Sequence, residues 1–381
     1  YAIISYQTAF LKTYYPKEFF AASMTMDISN QNKLGEFHEE LKRINIKVIR
    51  PDINKCFADF QFDENNFYYA LGGIKSVGYE AISNVVKERK ENGDFKSIND
   101  FLNRVNPKDI NKLQLEGLVK AGAFDNIDNN RQALFNSIPN FILKTKNIYE
   151  NKAANQIDLF ESDEAQDNEI VLNIEDWKFE DRLSREFEAV GFFISDHPLN
   201  QFKEIFDDYK IIDYVKFNSE EKIKDANVAA TLLKITERKT ARGNSYGLIK
   251  FTDLTSVFEL FVFSDILESN REILKEGNSF LITLIKNISN DENRFKRINV
   301  QKIAPLKDLF NKPISEILFN IKSFKEINKI ANLLKENGST EVIIKLKENN
   351  TELTFKLKNK RLINRKSINT LRNEDISTII H

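Results

Sequence analysis

Five β-rich runs, with one helical insert after the third of them, constrain the fold of this chain more than any other feature of its sequence. Each run is rich in branched and aromatic residues and is bounded by polar turn residues, as strands are. The runs are Val228 to Lys239, Tyr246 to Thr252, Val257 to Phe263, Ser279 to Ile288 and Phe295 to Ile303, and the insert is Asp265 to Leu274. Five short strands with a helix after the third are the order expected of an OB barrel. We therefore predict a five-stranded OB barrel over residues 225–305.

The rest of the chain predicts a multidomain α+β protein, and a length of 381 residues favours two to four domains. Helical periodicity dominates to about Asn140, with a break at Pro16 and short strands around Phe57 to Phe62 and Phe67 to Leu71. After the barrel, Pro313 to His381 predicts a small α+β domain. Its elements are a strand, a helix over Phe324 to Glu336, a hairpin of Glu341 to Leu346 with Glu352 to Leu357, and a last helix.

Composition excludes several classes of protein. One Cys and three His exclude a disulfide framework and a Cys-rich zinc site, and they favour a reducing compartment such as the cytoplasm. A net charge of -1 means that any affinity for nucleic acid comes from local basic patches. No apolar run reaches the length of a membrane span. The chain begins at Tyr1 within a periodic apolar stretch, so we expect it to be a piece of a longer protein.

The stretch from Leu71 to Gly78 leads directly into a predicted helix over Tyr79 to Glu91. It resembles a helix-hairpin-helix hairpin, in which a glycine lets backbone N–H groups approach a phosphate at a helix N-terminus. Candidate DNA-binding residues are therefore Gly73, Lys75, Ser76 and Gly78, with Ser76 where such hairpins usually have glycine. The alternative is an ordinary helix N-terminus with a capping glycine, and the pattern alone does not decide between them.

Residues 148–176 form a predicted polar linker that contains one apolar cluster, Gln156-Ile157-Asp158-Leu159-Phe160. Exposed large apolar residues in a polar stretch need a partner. The pattern Gln-x-x-Leu-Phe resembles the short peptide with which replication proteins dock on the bacterial sliding clamp. The alternative is a chance match.

In the predicted barrel, basic residues precede an aromatic strand. A groove for single-stranded nucleic acid combines such cations with aromatic faces that stack on bases. The candidate residues are Arg238, Lys239, Arg242 and Tyr246, with Lys234, Lys250 and Phe251 nearby. We expect Phe258, Phe261 and Phe263 to belong to the core, and the charges could simply face water. The lysine-rich segment from Lys356 to Lys366 is expected to be a solvated face.

No group of residues in the sequence fits catalysis. Metal-dependent phosphoryl transfer needs carboxylates that converge from rigid elements, whereas Asp207 and Asp208 are adjacent and the other candidates lie in or beside the linker. The isolated His38, His197, His381 and Cys56 are expected to be core or surface residues. We therefore predict no catalytic residue, no metal site and no cofactor in this chain.

In order along the chain, these segments resemble the C-terminal part of the alpha subunit of bacterial DNA polymerase III. The segments that carry this resemblance are Ser5 to Lys12 with Tyr15 to Phe19, Pro51 to Asn54, the Gly73 to Gly78 hairpin, Leu115 to Asp125, the Gln156 peptide, Ser184 to Phe192 and His197 to Leu199. Asp196 replaces the usual glycine before His197.

The resemblance implies a role for each predicted domain. Residues 1–26 would end the polymerase fingers domain, 27–147 would form a helix-hairpin-helix and clamp-binding domain, and 148–176 the linker with the clamp-binding peptide. Residues 177–224 would form a helical connector, 225–305 the OB domain and 312–381 a C-terminal domain similar to those that bind the tau subunit of the clamp loader.

The resemblance also implies an activity and a set of partners. The full chain would be a DNA-directed DNA polymerase whose catalytic carboxylates and Mg²⁺ lie in a palm domain upstream of Tyr1. Its partners would be duplex and single-stranded template DNA, the sliding clamp, tau and, through the missing N-terminal part, a proofreading subunit. No membrane partner is implied.

Two other classes combine the same elements. An NAD-dependent DNA ligase would require a Lys-x-Asp-Gly motif and a four-Cys zinc site, and the sequence has neither. The remaining alternative is a stand-alone OB and helix-hairpin-helix nucleic-acid-binding protein without polymerase activity. That alternative leaves residues 1–125 and the Gln156 peptide unexplained.

Overall fold

A computed structural model describes residues 1–153, 171–239, 245–288, 296–348, 351–374 and 376–380. The chain divides into two compact units, Tyr1–His197 and Pro198–His381. None of the helices within the described ranges is both long enough and apolar enough to cross a membrane. The Gln156 to Phe160 peptide and Arg242 lie outside the described residues.

The first unit is mainly helical. Its helices are α1 (Ala2–Tyr14), α2 (Pro16–Met26), α3 (Gln31–Arg43), α4 (Tyr79–Asn92), α5 (Ile98–Arg104), α6 (Lys112–Lys120), α7 (Arg131–Ala153) and α8 (Phe179–Val190). The predicted break at Pro16 is confirmed, and the proline occupies the first turn of α2, where its missing N–H costs no helical hydrogen bond. The largest fully buried side chains of the unit include Phe20, Phe67, Tyr69, Phe95 and Phe101.

Three short strands complete the first unit. They are β1 (Val48–Ile49), β2 (Gln61–Phe62) and β3 (Phe67–Tyr68), in the order β1-β3-β2. Strand β3 pairs parallel with β1 and antiparallel with β2. A short 3-10 helix, Leu71–Gly73, follows β3 and leads to the hairpin before α4.

The predicted linker of 148–176 is too long at both ends. Helix α7 continues to Ala153, and the segment after residue 170 packs along the start of the same helix. The backbone N–H of Leu172 donates to Ser137 Oγ (2.9 Å), Asn130 Nδ2 donates to the Ile174 carbonyl (2.6 Å), and Gln132 N donates to Asp176 Oδ1 (3.0 Å). The polar composition of residues 171–176 predicted a linker, but their polar groups form hydrogen bonds with the start of α7.

The second unit contains two sheets. Its helices are the 3-10 helix Pro198–Ile205, α9 (Tyr214–Ser219), α10 (Ser264–Asn270), α11 (Leu306–Asn311), α12 (Glu326–Leu333) and α13 (Arg365–Asn373). Its strands are β4 (Asp225–Lys239), β5 (Ser245–Thr252), β6 (Val257–Phe263), β7 (Ser279–Ile288), β8 (Lys296–Pro305), β9 (Glu316–Ile321), β10 (Lys335–Glu348), β11 (Thr351–Lys356), β12 (Arg361–Leu362) and β13 (Ser377–Ile380).

The first of these sheets is antiparallel and has the strand order β6-β5-β4-β7-β8. The five predicted strands and the helix after the third are all present, although that helix ends at Asn270 and not at Leu274. Among the described residues, the edge strands β6 and β8 are not hydrogen-bonded to each other, so a closed barrel is not observed. Its core includes Val228, Leu232, Ile249, Phe251 and Phe280.

The second sheet has the order β11-β10-β9-β13, with β12 also paired to β10. Strands β9 and β10 are parallel, and the other pairs are antiparallel. The predicted helix over Phe324 to Glu336 is shorter than expected, because β10 already begins at Lys335. Strand β13, which closes the other edge, was not predicted. These elements give the C-terminal part of the second unit the α+β content that was expected.

Asp208 connects the segment after the 3-10 helix to α13. Its side chain is buried, and its two oxygens bind Arg365 Nη1 (2.5 Å) and Arg372 Nη2 (2.6 Å). No partner for Asp208 could be predicted from the sequence, because its two arginines lie more than 150 positions away.

Candidate nucleic-acid interface

The hairpin before α4 turns at Ser76. Ser76 has a φ of +67°, in the left-handed region that favours glycine, whereas Gly78 has a φ of −73° and is the N-cap of α4. The tight turn therefore lies at Ser76, the position where such hairpins usually have glycine, and not at Gly78. Gly78 does open a helix, as expected.

Hydrogen bonds from the interior of the first unit fix the backbone of the hairpin. The Gly73 carbonyl accepts hydrogen bonds from Gln31 Nε2 (2.9 Å) and Tyr69 Oη (3.4 Å), and Lys75 N donates to the Ala189 carbonyl (2.9 Å). Complete burial raises the pKa of the Tyr69 phenol above its usual range, so it remains a donor. The backbone of the hairpin is thus fixed by three different elements.

The outer side of the hairpin is open to solvent. Lys75, Ser76 and Gly78 are exposed, while Gly73 and Val77 are buried. No side chain caps the N-terminus of α4, so its first N–H groups face outward with the positive end of the helix dipole. Glu80 in the first turn offsets part of that field. Of the four predicted residues, three are therefore exposed to solvent and Gly73 is buried.

Gly117, in α6, packs against the hairpin and was not among the predicted site residues. A Cβ atom at Gly117 would lie 2.7 Å from the Lys75 carbonyl oxygen, so α6 touches the hairpin backbone at a point where only glycine fits. The signal was a glycine in the middle of a helix, which usually has a packing reason.

We expect Gly117→Ala to lower the free energy of unfolding of the first unit by about 1–3 kcal/mol, because the backbone of the hairpin must shift. This loss exceeds the gain of up to about 1 kcal/mol in helix propensity. Urea unfolding monitored by circular dichroism measures it. The matched control is Gly78→Ser, which also adds a Cβ but at an N-cap, where serine is favoured. A Gly117→Ala protein as stable as the wild type would contradict the close approach.

A second candidate surface lies on the outer face of β4, β5 and β6. Cross-strand register places Arg238 opposite Tyr246 and Tyr246 opposite Phe263, all on one face. The rings of Tyr246 and Phe261 are 6.2 Å apart between centroids, and the Arg297 guanidinium lies 5.4 Å from the centre of the Phe263 ring. Aromatic faces and cations therefore share one surface.

An open groove of about 810 Å³ is lined by Tyr246, Phe261, Phe263 and Arg297. Lys239 at the end of β4, Tyr214 and Glu259 also contribute to its lining. Tyr214 stacks on Phe258 with a centroid distance of 3.9 Å, and burial raises the pKa of its phenol. The lining thus combines aromatic rings with the cationic groups of Lys239 and Arg297 and the carboxylate of Glu259.

The expectation that Phe261 and Phe263 belong to the core is wrong. They are 53% and 43% exposed, whereas Phe258 is buried. Side chains alternate between the two faces of a strand, and Phe258, Leu260 and Val262 occupy the core face. The signal was available in the sequence as this alternation. Arg297 was also missed, because it lies on a strand far from the other groove residues in the chain.

The other described residues predicted near this surface do not line the groove. Phe251 is fully buried in the core and is not a stacking residue. Lys234 and Lys250 are opposite each other in the register, next to Glu259. The expectation for Phe258 is confirmed.

Among the residues that the structure describes, no group of three or more His, Cys, Asp or Glu side chains could hold a metal ion. Cys56 is buried, its Sγ donates to the Arg50 carbonyl (3.2 Å), and burial raises the pKa of its thiol to about 12. His38 is also buried and packs against Phe192. Both are core residues, as expected.

Comparison with known proteins supports an assignment of the chain. A family model described as a helix-hairpin-helix motif matches residues 45–134. The DNA polymerase III subunit alpha of Borreliella burgdorferi is 31% identical over 375 residues, which cover 94% of this chain and 32% of that protein. The same subunit of Caulobacter vibrioides is 33% identical over 77% of this chain and 26% of that protein, and that of Campylobacter jejuni is 32% identical over 86% and 29%. The chain spans about a third of the length of these relatives.

Proposed function

Because the chain belongs to the DNA polymerase III alpha-subunit family, we propose that it supplies the C-terminal DNA-binding and docking modules of a replicative DNA polymerase. In this proposal the full-length subunit synthesises DNA by template-directed nucleotidyl transfer. The observation that carries it is the similarity to that subunit over 94% of the chain, which extends through both units.

The hairpin at Gly73 to Gly78 binds the backbone of duplex DNA. Two observations support this role. The N-terminus of α4 has no side-chain cap, and the exposed residues beside it are Lys75, Ser76 and Gly78. Such contacts fix the position of the protein on the duplex without reading its sequence. The helix-hairpin-helix family match is consistent with it.

The sheet from β4 to β8 is an OB fold that binds the single-stranded template. Its strand order and the helix after the third strand support this assignment. Bases would stack on Tyr246, Phe261 and Phe263, while Arg238, Lys239 and Arg297 would follow the phosphate chain. Arg242, predicted for the same path, would extend it.

The remaining parts of the proposal concern partners. The Gln156 to Phe160 peptide docks on the sliding clamp, residues 312–381 contact the tau subunit of the clamp loader, and the proofreading subunit binds through a part outside this chain. Catalytic carboxylates and Mg²⁺ are likewise assigned to a palm domain elsewhere in the subunit. A replicative polymerase would act in the cytoplasm.

A DNA-binding and extension assay tests the proposal as a whole. The purified chain is expected to bind a primed template with an affinity that falls as salt rises, and to add no nucleotide to the primer in the presence of Mg²⁺. Metal-dependent incorporation free of host polymerase would contradict the location of catalysis. Failure to bind both duplex and single-stranded DNA would contradict the role of the two surfaces.

Lys75→Ala is expected to weaken duplex binding and to reduce the slope of log affinity against log salt by about 0.9, because one phosphate contact is lost. Fluorescence anisotropy across a salt series measures both. Lys87→Ala, which removes an exposed lysine farther along α4, is the control and should leave the slope unchanged. Identical slopes for the Lys75→Ala and wild-type proteins would argue against phosphate binding at the hairpin.

Replacement of both Leu159 and Phe160 by alanine is expected to remove most of the binding to the sliding clamp. Burial of these two side chains is worth roughly 3–6 kcal/mol before the cost of ordering the segment. Gln156→Ala should cost less, about the value of a hydrogen bond or two. Titration calorimetry against the clamp measures these losses.

A control variant and a thermal melt show whether the loss of clamp binding is specific to the pentapeptide. Gln166→Ala, in the same polar stretch but outside the pentapeptide, should bind the clamp normally. The thermal melt of the Leu159→Ala/Phe160→Ala protein should equal that of the wild type. A double variant that retains clamp affinity would contradict docking through the pentapeptide. A double variant that melts markedly lower would show that these side chains pack within the protein.

A further inference from the structure

Strand β11 (Thr351–Lys356) is the outer strand of the C-terminal sheet. It pairs with β10 on one side, and within the described residues no strand covers its other side. Residues 352–356 are all exposed. An open strand edge of this kind presents backbone groups that can pair with another chain.

The ladder between β10 and β11 determines which backbone groups point outward. Leu357 N donates to the Val342 carbonyl (3.0 Å), and the antiparallel register continues from that pair. Hydrogen-bonded pairs alternate along such a ladder. Phe355 and Leu353 therefore bond to β10, and the N–H and carbonyl groups of Thr354 are directed outward.

Apolar side chains accompany this open edge. Leu353 and Phe355 lie opposite the buried Leu346 and Ile344, so they continue the core face of the sheet, yet they are 42% and 40% exposed. Phe324, itself 53% exposed, lies 6.4 Å from Phe355 between ring centroids. The edge thus combines free backbone groups with an apolar strip.

The charge of the domain indicates which kind of segment fits. Residues 312–381 contain fourteen Lys and Arg against eight Asp and Glu, whereas the whole chain has a net charge of -1. Exposed Lys356 and Lys360 lie at and after the end of β11, where both contact Glu341, and Lys345 contacts Glu352 near its start. A second copy of this basic domain would be repelled, and an acidic segment would be attracted.

We propose that β11 binds an extended, acidic and apolar segment of a protein partner, which pairs with its free edge and places alternate apolar side chains on Leu353, Phe355 and Phe324. This mode of recognition uses backbone hydrogen bonds for affinity and side-chain contacts for specificity. The proposal goes beyond the clamp-loader contact, because it identifies the strand and the chemistry of the segment and holds for any partner of that chemistry.

The test uses the full chain and three sets of synthetic eight-residue peptides that alternate apolar residues with acidic, basic or neutral polar residues. The chain is expected to bind the acidic set at least ten times more tightly than the other two. Thr354→Pro, which removes an outward N–H, and Leu353→Ser/Phe355→Ser should each reduce that binding at least tenfold. Thr354→Val and Leu362→Ser, which changes an exposed leucine elsewhere in the domain, should bind normally.

Several results would overturn the proposal. One is equal affinity of the chain for the acidic, basic and neutral peptides. Another is equal affinity of the Thr354→Pro and Thr354→Val proteins for the acidic peptides. Sedimentation that shows a dimer of the wild type, lost in Thr354→Pro, would assign the edge to a second copy of the chain. If circular dichroism shows that Thr354→Pro does not fold, the serine double variant decides the outcome.

Discussion

Replacement of Arg131 by methionine is expected to lower the free energy of unfolding of the first unit by about 3–5 kcal/mol. The Arg131 side chain is 3% exposed and binds two carboxylates, Asp125 at 2.6 Å and Glu186 at 3.3 Å. Its Nη1 also donates to the Lys120 carbonyl (3.0 Å). Burial alone would lower the pKa of Arg131, but the two carboxylates more than offset that effect and raise it.

The expected loss of stability is large because Arg131 neutralises the buried carboxylate of Glu186. Its side chain is fully buried, and its other oxygen accepts hydrogen bonds from the backbone N–H groups of Ile194 (3.0 Å) and Ser195 (2.8 Å). Without Arg131 it would remain in the core as an uncompensated charge, because Arg182, the neighbouring arginine, binds Asp125 and Asp176.

Urea unfolding at neutral pH measures the loss, and a thermal scan should show a lower midpoint by on the order of 10 °C. The control is Lys87→Met, which removes an exposed ion pair with Glu91 (3.8 Å) and should change stability by less than about 1 kcal/mol. If Arg131→Met and Lys87→Met are equally stable, the buried cluster contributes nothing and its charges must be satisfied in another way.

The second large effect is expected in the groove. Replacement of Tyr246, Phe261 and Phe263 together by alanine should reduce the affinity for oligothymidylate by about 100-fold or more, because each stacked base contributes about 1–3 kcal/mol. Affinity for blunt duplex DNA should be unchanged. The three side chains lie on the outer face, so the fold should be retained.

Salt dependence separates stacking from charge in this experiment. The triple variant keeps every cation, so its slope of log affinity against log salt should equal that of the wild type. Arg297→Ala should instead lower the slope by about 0.7, the value for one phosphate of a single strand. Phe324→Ala, an exposed aromatic residue of the other sheet, is the control. Equal losses on single-stranded and duplex DNA would point to a general charge effect and not to the proposed groove.

Much of the fold was predictable because its signals are local. The break at Pro16 follows from the chemistry of one residue, and the alternation of β6 follows from the pleat of a single strand. The family was also identified from short segments, and the similarity to DNA polymerase III alpha subunits confirms it. Where the alternation was not applied, at Phe261 and Phe263, the prediction failed although the signal was present.

The remaining features depend on residues that are distant in the chain. The fit of Gly117 against the Lys75 carbonyl, the Arg131–Glu186 pair and the two arginines on Asp208 each join separate elements. No local pattern contains such information, because a side chain's partner is set by which elements pack together. Local patterns therefore predicted most helices and strands and the family, whereas long-range packing sets which glycine contacts the hairpin, which charges are buried and which aromatic side chains are exposed.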